Sequence, residues 1–186
     1  MSHKQQETPT PLWVRGLTGI SGTIGLGFVN WAFDYPFYAY MTELFTSDRF
    51  GLTLYDGALL TFGVMSILSW LLSFSFIKYY DYTEKDWLGL EALKVIRENA
   101  DPKSSWCSRI ASLGDVAAFL IFAIYDPVYS TIFLRKGSEK YNGFSRRDWV
   151  IFNLSVLYSN ALWTSGWLAT IEFIRFVPWL IERYAT

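Results

Sequence analysis

From position 57 to 77 the chain carries no charged residue, a run long enough to cross the hydrocarbon core of a bilayer as a helix. A helix on the surface of a soluble bundle would show a polar stripe over those roughly six turns. Three further segments read the same way. The segment 16–35 is charge-free until Asp34, and 149–171 is charge-free up to Glu172. The segment 110–133 holds Asp115 and Asp126. The sequence therefore predicts an all-α integral membrane protein with four transmembrane helices. The chain divides into a polar tail at 1–15, a first helical hairpin at 16–78, a linker at 79–109 and a second hairpin at 110–186.

The aromatic content supports this reading. The 9 Trp, 12 Tyr and 15 Phe suit a protein that places amphipathic rings at two membrane interfaces. Charge is nearly balanced, 16 basic against 17 acidic residues, so no global field points to nucleic acid. The only cysteine is Cys107 and the only histidine is His3, which excludes an internal disulfide, a mixed His/Cys metal site and bis-histidine haem ligation. A site built from carboxylates alone stays open, so the metal question is undecided and no cofactor is expected. The polar start of the chain does not resemble a cleaved signal peptide.

The linker has its own pattern. Thr83 and Asp86 have capping-box spacing, and Trp87, Leu88, Leu90 and Leu93 alternate with Glu91, Lys94 and Arg97. An amphipathic helix at the membrane surface is expected from Thr83 until the Asp101-Pro102 step. Basic residues on the assumption of four spans divide ten to six in favour of both termini being cytoplasmic, in the cell (inner) membrane.

The two halves are similar at an offset of about ninety residues. Asp34, Pro36 and Tyr38 match Asp126, Pro127 and Tyr129. Gly51, Thr53 and Asp56 match Gly143, Ser145 and Asp148, each pair entering an apolar segment through a helix cap. Two hairpins with an even number of spans each imply parallel repeats related by an axis along the membrane normal.

Ionisable groups inside spans are costly, so Asp34 and Asp126 are the first candidates for an ion- or solute-binding pair, with Tyr38 and Tyr129 beside them. Against this, a helix starting at Gly16 would bring Asp34 about 27 Å along its axis, near the far interface, where it would only cap a connector. In the fourth segment Asn153, Asn160, Thr164 and Trp167 share one face, suited either to a solute path or to interhelical hydrogen bonding. Ser66, Ser69 and Ser73 share a face in the second. Glu172 and Arg175 are spaced for an i,i+3 pair.

No nucleophile–base set, zinc motif or phosphate loop is present, which argues against an enzyme. The function expected is an oligomeric transporter or channel for an ion or small solute. The alternative is a non-transporting scaffold or accessory subunit. The expected partners are the lipid bilayer, further copies of the chain or another membrane protein, and no nucleic acid.

Overall fold

The computed structural model describes residues 24–91, 94, 114–136, 141 and 143–184, and no strand occurs among them. The chain is helical from residue 24. Helix α1 (24–32) runs through a π turn, Phe33–Phe37, straight into α2, Tyr38–Thr46. A 3₁₀ turn at Asp48–Phe50 leads to α3, Leu54–Thr83. Two short helices follow, α4 (Asp115–Tyr125) and α5 (Pro127–Leu134), and α6 (Arg146–Tyr184) completes the bundle.

Helix α3 is the one helix among the described residues both long and apolar enough to cross a membrane. Its start follows the expected cap. The Thr53 hydroxyl accepts the Asp56 N–H at 3.2 Å and donates to the Asp56 carboxylate at 2.6 Å. It ends where Glu84 turns left-handed at φ 49°. Ser145 and Asp148 repeat the same cap on α6, at 3.2 and 2.8 Å. Gly51 and Gly143 precede the two caps, and both have positive φ, 62° and 83°.

Contacts between helices fix their directions. The Phe45 carbonyl lies against Gly57, and Leu26 shares a core with Ile77 and Tyr80, so α1–α2 and α3 are antiparallel. Trp70 stacks on Trp149 and Phe74 on Phe144, so α3 and α6 are also antiparallel. Helix α6 therefore runs parallel to α1–α2, with Tyr38 beside Asn160 and Thr164 and Glu43 beside Arg175. One end of the bundle carries Trp87 and the other carries Phe50.

These directions correct three expectations. The proline of the first half does not end its helix. Pro36 lacks an N–H, the ladder shifts so that Tyr38 N–H bonds the Phe33 carbonyl, and the helix continues to Thr46. Asp34 thus sits near the middle of the helix 24–46, not at its end; positions 16–23 lie outside the described residues.

The segment 110–133 is not one continuous helix. Asp126 is extended (φ −170°, ψ 137°), the conformation a following proline favours, and the chain folds back on itself there. Phe122 packs on Phe133 at 4.5 Å, and Arg147 binds both Asp115 and the Leu134 carbonyl. Helices of 11 and 8 residues span only about 16 and 12 Å, short of the roughly 30 Å bilayer core.

Lastly, α3 and α6 start at opposite ends of the bundle, so the halves are not parallel repeats, and residues 24 and 184 lie at opposite ends. The linker also differs from expectation. Thr83 is the last residue of α3, and helical backbone resumes only at Leu90, after Gly89 (φ 71°). Leu88 and Leu90 are buried in the main core. The rest of the expected surface helix, apart from Glu91 and Lys94, lies outside the described residues.

Polarity is distributed inside-out. Thr42, Thr61, Ser69, Ser73, Ser130, Ser155, Asn160 and Thr164 are buried, whereas Phe28, Leu59, Ile67, Leu120, Leu154 and Leu157 are exposed. The Ser66, Ser69 and Ser73 face anticipated from the sequence is an interior face.

One glycine sets how closely the first hairpin packs. A Cβ on Gly57 would lie 2.3 Å from the Phe45 carbonyl oxygen and 2.8 Å from its carbon. Backbone cannot yield cheaply there, so Gly57→Ala is expected to destabilise the fold by about 1–3 kcal/mol. Gly63→Ala, in open space on the same helix, is the control and should be neutral or slightly stabilising. Thermal unfolding in detergent separates the two.

Candidate functional site

The π turn and the hairpin tip bring the two Asp-Pro elements together in the middle of the bundle. At the tip, Asp126 is 5% exposed. One carboxylate oxygen accepts the Val128 N–H and caps α5, with Pro127 in the first helical position. The other oxygen accepts the side-chain amide of Asn30 on α1. Asp126 therefore ties the hairpin to the first helix and to its own second arm.

Asp34 differs. It is half-buried, and among the described residues no group donates a hydrogen bond to its carboxylate. It lies near Asp126 and Tyr38. Its backbone carbonyl, released by the π turn, is satisfied by the Trp167 indole N–H at 2.8 Å. One aspartate is thus held by protein donors, and the other keeps its carboxylate available.

Tyr38 is fully buried four residues on. Its hydroxyl contacts Thr164 Oγ1 at 2.6 Å and donates to the Asn160 carbonyl at 3.0 Å. Asp34, Asp126, Tyr38, Asn160 and Thr164 form one polar centre. The other two sequence candidates lie elsewhere. Tyr129 packs against the main apolar core. Asn153 is on the outer side, where its amide oxygen accepts the Trp70 indole N–H at 3.0 Å and it lines a groove of about 350 Å³. Trp167, from the polar face anticipated on α6, joins the centre, and so does Asn30, which was not singled out for it from sequence; an Asn one helical turn before Asp34 was the visible signal.

A second polar group at the Trp87 end was not anticipated. Arg135 and Asp81 form a buried ion pair at 2.6 Å, with the guanidinium 5.7 Å from the Phe144 ring centre. Beside them Lys94 pairs with Glu91 at 2.8 Å, and Asp86 accepts the Tyr80 hydroxyl at 2.7 Å. Burial pulls the Lys94 ammonium below its ordinary pKa, opposed by Glu91. At the Phe50 end, Arg175 joins the expected Glu172 at 3.0 Å and also binds Glu43 at 2.9 Å, all three partly exposed. Asp115 pairs with Arg147 at 2.8 Å.

No group of three or more His, Cys, Asp or Glu among the described residues is arranged to hold a metal ion. No protein-family model, curated protein or solved structure matches the chain.

Proposed function

We propose that the chain is an integral membrane protein that moves an ion or small solute, with three crossing helices and one hairpin that enters and returns. The observation that carries this reading is that Asp34 and Asp126 lie near each other in the middle of a bundle whose surface exposes many large apolar side chains and whose interior buries polar side chains beside its apolar core. Helices α1–α2, α3 and α6 make the crossings, and α4–α5 is the returning hairpin. Irregular backbone at membrane depth is tolerated where protein buries it, and the hairpin tip at Asp126 meets that condition.

Orientation follows from this arrangement. Lys78, Lys85, Lys94, Arg135, Lys136, Arg146 and Arg147 belong to the Trp87 end, against Arg49, Arg175 and Arg183 at the other. The excess of basic residues assigns the Trp87 end to the cytoplasm. Residue 24 then faces the cytoplasm and residue 184 the outside. The bilayer is the constant partner, and assembly with further copies accommodates the broad apolar surface.

The test is flux through purified protein in liposomes under imposed ionic gradients, with native mass recorded on the same sample. Flux from the wild type, lost in a folded Asp34→Asn/Asp126→Asn variant, is the expected result. A well-inserted sample with no flux would reject transport and turn the search to a role as accessory subunit.

A further inference from the structure

At an offset of 92 residues the two halves share sequence positions and a glycine turn with a Ser/Thr–Asp cap, but these start helices that run in opposite directions along the bundle. Asp34 corresponds to Asp126, Glu43 to Arg135, Gly51 to Gly143, Thr53 to Ser145 and Asp56 to Asp148. After each proline a short helix runs from the middle of the bundle to one end: α2 to the Phe50 end, α5 to the Trp87 end. A positive-φ glycine and a Ser/Thr–Asp cap then start the long helix that returns through the whole bundle. Those long helices, α3 and α6, are antiparallel, so the axis relating the units lies across the bundle and passes near Asp34 and Asp126. Only α1 and α4, the helices before each Asp, break the relation.

Each short helix carries a buried polar stripe leading outward from its aspartate. On α2, beyond the half-buried Asp34, it is Tyr38, Thr42 and Thr46. On α5 it is Asp126, Ser130, Thr131 and Arg135. Each stripe ends at an ion pair to the opposite unit's long helix. Arg175 binds Glu43 and the Thr46 carbonyl at one end, and Asp81 binds Arg135 at the other. Arg175 lies two residues beyond the position equivalent to Asp81, so the two pairs correspond with their charges exchanged. One pair is buried and the other is partly exposed. Among the described residues, the only charged side chains between these two closures are Asp34 and Asp126.

We propose that the two units are inverted repeats, and that they enclose a cation pathway closed at each end by one of two symmetry-related ion pairs, Glu43–Arg175 and Asp81–Arg135. This deepens, and rests on, the transport reading. The carboxylates at the centre select the sign of the permeant ion, and each pair isolates the centre from its own side.

Accessibility to a membrane-impermeant thiol reagent tests the closures without requiring flux. In a Cys107→Ser background, Thr42→Cys and Thr131→Cys are both expected to react slowly in oriented vesicles. Asp81→Asn/Arg135→Gln should speed labelling of Thr131→Cys at least about tenfold from the Trp87 side alone. Glu43→Gln/Arg175→Gln should do the same for Thr42→Cys from the Phe50 side alone. The swapped pair Asp81→Arg/Arg135→Asp should restore protection, which guards against a mere loss of packing. Labelling of both cysteines from one side, or no response to loss of the adjacent pair, would overturn the proposal. Proton, sodium, potassium and chloride fluxes on the same vesicles complete the test. Chloride as the permeant ion would overturn the cation assignment. Two-sided labelling with no flux of any ion would remove transport but leave the inverted repeat and its closures standing.

Discussion

Arg135→Leu should cost about 3–5 kcal/mol of stability, the usual penalty for stranding one member of a buried ion pair. Asp81 is 9% exposed and takes both guanidinium nitrogens, at 2.6 and 3.5 Å; without them its charge stays in a site that water reaches poorly. Removing both charges as Asp81→Leu/Arg135→Met should recover most of the loss, since two apolar side chains in place of a buried pair are often neutral or better. The corresponding pair supplies the contrast. Glu43 and Arg175 are 55% and 38% exposed, so Arg175→Leu should cost no more than about 1 kcal/mol. Denaturant unfolding of the three variants and the wild type in micelles checks the order. Equal losses at Arg135 and Arg175 would mean that burial does not distinguish the two closures.

That buried pair shows where local sequence runs out. Its members are 54 residues apart and Arg135 ends a segment expected to leave the bilayer, so no spacing rule connects them. By contrast, α3 was legible from its charge-free run, its Thr53–Asp56 cap and its serine face, because each is a local feature. The Glu172–Arg175 pair was legible for the same reason.

The Asp-Pro elements lie between these cases. Both were recognisable as breaks, but one passes the helix through and the other reverses it. The difference is one residue. Asp34 and Pro36 are separated by Tyr35, whereas Asp126 and Pro127 are adjacent, so the offset between the halves falls from 92 to 91 across the motif. Asp126, directly before its proline, takes the extended conformation that proline favours, and its side chain becomes the cap of a new helix. With one residue more, the helix absorbs the proline as a π turn, and Trp167, 133 residues away, takes the carbonyl left over. The sequence offset carried that signal. What it meant for the path of the chain depended on the distant Trp167 and Asn30, and from that path follow the orientation and the direction of the repeat.

The same contrast predicts that the two aspartates fail in different ways when replaced. Asp34→Asn should fold as stably as the wild type, because its carboxylate accepts no hydrogen bond from the described residues and lies near a second negative charge. Flux should nevertheless fall by more than about a hundredfold, an effect of nearly 3 kcal/mol on the barrier. Asp126→Ala should instead lose about 2–4 kcal/mol of stability. The α5 cap contributes roughly 1 kcal/mol, and the Asn30 amide left unpaired in the interior costs about 1–3 more. Asp126→Asn keeps an oxygen for the Val128 N–H, and Asn30 can turn its own carbonyl toward the new amide, so stability should stay within about 1 kcal/mol of the wild type while the charge is gone. Unfolding midpoints and liposome flux on the three variants separate the roles. If Asp34→Asn conducts normally, Asp34 is not the group that meets the ion. If Asp126→Asn unfolds as readily as Asp126→Ala, the fold requires the charge of Asp126 and not only its hydrogen-bonding oxygen.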